Sequence, residues 1–177
     1  MTTDTLRDYV THKEETMHWI YDDGGRAAAG YVGRTGDCVT RAIAIATHRS
    51  YQQVYDEINQ AAHGERTGTK LRGISSARLG VYKRTTRAYL AALGWTWTPT
   101  MQIGAGCTVH LTASELPKGR IIVSVSRHLT AVLDGVIHDT HDPSRGGRRC
   151  VYGYWRDTAE PTGACVGCEF VTPEETV

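Results

Sequence analysis

The sequence predicts an α+β fold, helical in its N-terminal part and sheet-forming in its C-terminal part, from three observations. Apolar residues recur at helical spacing in segments up to Gly94. Beyond Gly94 the period changes to two, and the run Arg120-Ile121-Ile122-Val123-Ser124-Val125-Ser126 suits a buried strand. Asp134-Gly135, set between two apolar alternating segments, is a two-residue hairpin signal.

Length and composition bound the class. The 177 residues suit one domain with a real core, and 40% hydrophobic with 22% charged residues excludes a disordered or membrane-spanning composition. The expected organisation is an N-terminal arm and hairpin over residues 1–30, one domain over 31–155, and an acidic tail over 156–177. Met1 to Val10 is polar and lacks the apolar core of a signal peptide, and no run approaches a membrane span of roughly 18 residues. The five cysteines form no regular framework, so the expectation is a cytoplasmic protein with reduced thiols and no membrane partner.

The elements follow in order. Residues 1–15 read as a polar arm, and Met17-His18-Trp19-Ile20-Tyr21 as a strand closed by the turn Asp22-Asp23-Gly24-Gly25. Ala27 to Val32 leads to the approach Gly33-Arg34-Thr35-Gly36. Asp37 is then the N-cap of a helix whose face is Val39, Ala42, Ile43 and Ala46, ending near His48. Ser50 with Gln53 is a capping box for a second helix, with Tyr51, Val54, Tyr55, Ile58 and Ala62 on one face. Residues 63–80 read as a long loop of the kind that binds ligands or covers sites. A third helix is expected over 81–93, with Tyr82, Thr86, Tyr89, Leu90 and Leu93 inward and Gly94 as its stop. Trp95-Thr96-Trp97 alternates, and both tryptophans are candidates for cleft or core. Residues 108–111 suit a short strand, Thr112 to Leu116 a helical turn, and Cys150 to Trp155 a last strand.

Cys38 falls in the first turn of its helix. Unpaired backbone N–H groups and the positive end of the dipole favour the thiolate there, lowering a thiol pKa of about 8.5. The competing reading is a small buried core residue. A nucleophilic cysteine needs a base, and the hairpin supplies one by register. Leu133 faces Val136, Val132 faces Ile137, and Ala131 faces His138. His128, Thr130 and Val132 then share a face with Asp139 and His141. Asp139 becomes a diagonal neighbour of His128, the base-and-orienter pair a cysteine needs. Asp142 is the second-choice acid, and His138 falls on the opposite face as a core or surface residue.

A Gly-Asp-Cys segment opening a helix, two further helices, then Leu116-Pro117-Lys118-Gly119-Arg120-Ile121-Ile122-Val123, His128 starting a strand and an aspartate closing the next, resembles the papain-like cysteine peptidase superfamily. The layout is similar to the small bacterial branch that includes leader peptidases of bacteriocin exporters, and to small papain-like proteins of actinobacteria and their phages. The resemblance spans roughly Tyr31 to Trp155. It implies a helical lobe carrying Cys38 as nucleophile, packed on an antiparallel sheet carrying His128 as base and then acid, with Asp139 orienting the imidazole. It implies a protein or peptide substrate and no cofactor. The outcome is acyl transfer on an amide, with peptidase, transglutaminase, deamidase or acyltransferase as its forms. The family usually has a glutamine about six residues before the cysteine, where this chain has Val32. The oxyanion candidates are therefore the Cys38 N–H with Arg34 or Thr35, and losing one such donor costs about a hundred- to a thousandfold. A catalytically silent relative is the alternative.

Two other readings remain. Residues 66–114 hold seven basic and no acidic residues, leaving 13 basic against 19 acidic elsewhere. That stretch, with Lys83, Arg84 and Arg87 on the exposed side of the third helix and Arg145, Arg148 and Arg149 in a turn, is either a nucleic-acid surface or a solvated face. The near-neutral total charge favours the solvated face. Cys165-Val166-Gly167-Cys168 has the spacing of half a zinc site, but no second half follows. The expectation is no metal.

Overall fold

The structure is a computed structural model that describes residues 16–66, 73–102 and 104–158. The polar arm, part of the long loop and the tail with Cys165 and Cys168 lie outside the described residues. The elements run β1 (His18–Tyr21), α1 (Cys38–Thr47), α2 (Tyr51–Ala62), α3 (Lys83–Ala92), β2 (Trp95–Pro99), β3 (Arg120–Val125), β4 (His128–Leu133), β5 (Val136–Asp139) and β6 (Val151–Asp157). The strands form one six-stranded sheet in the order β1-β5-β4-β3-β6-β2. No described helix is long and apolar enough to cross a membrane.

Alternation along β3 divides the core. Ile122 joins Ala131, Trp155 and the apolar faces of α1 and α2 on one side of the sheet. Ile121, Val123 and Val125 join Val132, Ile137, Leu111 and Met17 on the other. The β4–β5 turn has positive φ at both Asp134 (49°) and Gly135 (84°), as a two-residue hairpin of this twist requires. Its register pairs Leu133 with Val136, Val132 with Ile137 and Ala131 with His138, as the sequence predicts.

Four expectations are corrected. The sheet is mixed, because β1 pairs parallel with β5 while the other pairings are antiparallel. Among the described residues β1 has no hairpin partner next to it in sequence: left-handed Gly24, Gly25 and Gly30 coil residues 24–30 into turns that lead away to the cysteine loop, and β1 pairs with β5 instead. Asp37 makes no side-chain cap on α1, because its carboxylate is taken by other side chains, whereas Ser50 caps α2 by accepting from the Gln53 N–H. The thiols are not all reduced: Cys107 and Cys150 form a disulfide. Backbone bonds from Leu111 to Arg149 and from Val151 to Val109 bring those loops together across 43 residues of sequence, which spacing alone does not reveal.

The described part of the long loop is a fixed wall. The Ala77 N–H donates to Asn59 Oδ1, Thr40 Oγ1 donates to the Ala77 carbonyl, and Ser75 bonds Glu65 through its N–H and hydroxyl. Tight packing also fixes β6 against β2. A Cβ on Gly153, whose φ is +151°, would stand 2.4 Å from the Trp97 ring and 2.6 Å from the Thr98 carbonyl. Gly153→Ala is therefore expected to cost about 2–3 kcal/mol, read as a lowered urea midpoint at unchanged slope.

Candidate active site

Helix α1 begins where β4 starts and β5 ends, so three chain segments deliver one side chain each to a common point. Cys38 is half-buried in the first turn of α1, where its backbone N–H has no intrahelical partner. The His128 imidazole and the Leu129 N–H both stabilise its thiolate form. His128 places Nε2 2.6 Å from Asp139 Oδ2, which leaves Nδ1 for the sulfur. Asp139 is 3% exposed. Its Oδ1 accepts Arg41 Nη1 at 3.0 Å and the Thr140 N–H at 2.7 Å.

Charge and burial set the protonation states. Burial pushes the Cys38 thiol up, but the hydrogen bond and positive charge of His128, the Leu129 N–H and nearby Arg41 outweigh it, so its pKa is lowered. Burial likewise disfavours the imidazolium, yet the bonds to Asp139 and Cys38 raise His128 to about 9. Burial opposes the Asp139 carboxylate, and His128, Arg41 and the Thr140 N–H still hold it below its ordinary value. The arrangement therefore favours a thiolate–imidazolium pair over the neutral thiol and imidazole, backed by a carboxylate that stays ionised more readily than usual. Such a thiolate attacks carbonyl carbon, and such an imidazolium gives up a proton to a leaving group.

Arg41 is the residue that sequence reasoning missed. It lies one turn after Cys38, is 8% exposed, and spans two acids. Nε binds Asp37 Oδ1 at 3.0 Å while Nη1 binds Asp139 Oδ1 and Thr140 Oγ1. Asp37 also accepts the Tyr51 hydroxyl at 2.7 Å and pairs with Arg26 Nε at 3.3 Å. The signal was present as a single arginine inside the apolar run of α1, which cannot be buried there without acid partners.

The other expected residues fall out as follows. Asp142 accepts the Ser144 N–H, and the acid at His128 is Asp139. The Thr35 hydroxyl is committed to the Arg78 carbonyl at 2.5 Å, so it is not a free oxyanion donor. Arg34 is exposed and does not line the cleft, and Val32 is 77% exposed. Of the oxyanion candidates only the Cys38 N–H remains in place. His138 bonds Asp22 Oδ2, away from the site. The two tryptophans divide: Trp95 is in the core, whereas Trp97 lines the cleft beneath the Arg87 guanidinium, 5.4 Å from its ring centroid.

The cleft holds about 1140 Å³ and runs between α1, the 79–81 turn and α3 on one side and the sheet on the other. His128, Asp139 and His141 bring donor atoms within 4.8 Å of one another, a spacing a metal ion can bridge. The donors are already spent: His128 and Asp139 bond each other, and the Arg41 guanidinium occupies Asp139 Oδ1. A cation there would have to displace both partners. Comparison with protein-family models, with curated proteins and with solved structures finds no match, so the site is read from its own geometry.

Proposed function

We propose that this chain is a cysteine-dependent acyl-transfer enzyme of papain-like layout that cleaves an amide bond in a protein or peptide. The observation that carries the reading is the chain of contacts from the Cys38 sulfur through His128 to the buried carboxylate of Asp139. The helical lobe with the cysteine, the strand-borne histidine and acid, and their order along the chain support the papain-like layout.

In the reaction, the Cys38 thiolate adds to the amide carbonyl and forms the S–C bond, with the oxyanion held by the Cys38 N–H. His128 Nδ1 gives its proton to the amide nitrogen as the C–N bond breaks, leaving a thioester and a free amine. Water then loses a proton to His128 and adds to the thioester carbon. Collapse releases the carboxylic acid and restores the thiolate–imidazolium pair. An amine in place of water gives transfer instead of hydrolysis.

The test is alkylation of Cys38 by iodoacetamide across pH, located by mass spectrometry, in wild type and His128→Ala. Wild-type Cys38 is expected to react well below the pH at which Cys165 reacts. His128→Ala removes the hydrogen bond and the charge but keeps the burial, so the profile moves upward, past an ordinary thiol value of about 8.5. A Cys38 that titrates like Cys165 and ignores His128 would overturn the proposal. Turnover should follow a bell. Its acid limb marks ionisation of Cys38 below the ordinary thiol range, and its alkaline limb lies near the value of about 9 at which His128 loses the proton it must donate.

A further inference from the structure

A second hollow of about 650 Å³ opens beside His128 and His141, and its lining is unusually cationic. Arg127, Arg145 and Arg149 face it, against one acid, Asp142, whose Oδ1 already accepts the Ser144 N–H. The wall is built rather than draped. Arg149 Nη2 donates to the Ser126 carbonyl at 2.5 Å, its backbone N–H to the Ser144 carbonyl, and its buried Nε has no protein partner. Left-handed Arg145, Gly146 and Gly147 fold the turn that presents the Arg145 side chain, and left-handed Arg127 does the same between β3 and β4. Two guanidinium groups, Arg127 and Arg145, are exposed and so available to a ligand.

Position assigns the hollow a role, and this step rests on the reaction proposed above. His128 gives its proton to the leaving group, so the departing half of the substrate must lie against His128. The hollow shares His128 and His141 with the main cleft and continues it past the imidazole. We propose that this hollow binds carboxylate groups on the leaving-group half of the substrate, making the enzyme selective for an acidic segment just beyond the bond cleaved. Guanidinium forks match carboxylates in geometry, which favours acidic side chains or a chain-terminal carboxylate. A nucleic acid offers anions but no acyl carbon for Cys38 to attack.

The test is calorimetric titration of the full chain with a tri-glutamate peptide blocked at both ends, its blocked tri-glutamine counterpart, tri-glutamine with a free terminal carboxylate, and a single-stranded oligonucleotide. Each peptide is also scored for protection of Cys38 from iodoacetamide. The carboxylate peptides should bind about tenfold more tightly than blocked tri-glutamine and slow alkylation. The two carboxylate arms separate side-chain from terminal recognition. Arg127→Gln/Arg145→Gln should abolish the preference, whereas Lys118→Gln, which removes one exposed charge elsewhere, should keep it. Arg145→Gln alone serves if the double variant loses its native circular dichroism. Equal binding of tri-glutamate and tri-glutamine, equal loss in Lys118→Gln, or tighter binding of the oligonucleotide would overturn the proposal. A Cys38 that is inert without any peptide removes the reaction, while the titration still decides the hollow.

Discussion

Asp139→Asn is expected to lower turnover about a hundredfold and to move the alkylation profile of Cys38 upward. The amide keeps the size of the carboxyl and can still accept a bond from His128, but it withdraws the negative charge that favours the imidazolium. A charge-assisted bond gives way to a neutral one, a difference of about 1–1.5 kcal/mol, and the buried imidazolium loses the attraction of the carboxylate charge besides. The effect should fall short of the roughly 10⁴-fold seen when a serine triad loses its acid. A serine must be deprotonated during the reaction, whereas the Cys38 thiolate is favoured beforehand by His128, the Leu129 N–H and Arg41 as well. Steady-state kinetics and the iodoacetamide profile check the two halves separately. Unchanged values in both would mean that Asp139 does not act on His128.

Arg41→Ala is expected to cost about 3–5 kcal/mol in stability, the largest penalty of any single truncation considered for this chain. It strands Asp37 at 1% exposure and Asp139 at 3%, and each loses a guanidinium contact at 3.0 Å. Urea denaturation gives the loss directly. Arg41→Lys should restore only part of it, because one ammonium cannot span Asp37 through one nitrogen and Asp139 with Thr140 through another. A second measurement separates positioning from mere stability. Arg41 also favours the thiolate, so Arg41→Lys should leave the Cys38 profile nearer to wild type than Arg41→Ala does. Identical profiles in the two variants would reduce Arg41 to a structural residue.

Much of this was legible because it depends on short-range rules. Asp134-Gly135 fixed a turn with two positive φ values, and period-two alternation then placed His128 and Asp139 on one face without any tertiary information. The Ser50 cap and the Gly94 stop are equally local, and α3 came out at Lys83–Ala92 inside the expected 81–93. The failures are all long-range. Which edge β1 would cover depends on β5, more than a hundred residues away, and the Cys107–Cys150 bridge depends on backbone pairing of the segments around 110 and 150. Asp37 is the N-cap by position but makes no side-chain cap bond, for a related reason. Its residue type and position are those of an N-cap, and Tyr51, Arg26 and Arg41 outbid the helix for its carboxylate.

The buried network around Cys38 has a consequence for the timing of proton transfer. Taken in contact order, Arg26, Asp37, Arg41, Asp139, His128 and Cys38 alternate in sign. With the thiolate and imidazolium both present, positive and negative charges balance. Attack of the Cys38 sulfur on the amide carbon, in the proposed reaction, moves its negative charge onto the oxyanion and leaves the series one positive charge in excess until His128 gives up its proton. The thiolate is one of the groups that hold the proton on His128, so its loss loosens that proton. The imidazolium thus becomes a stronger acid at the step where a departing amine has to be protonated, and regains its hold when deacylation restores the sulfur's charge.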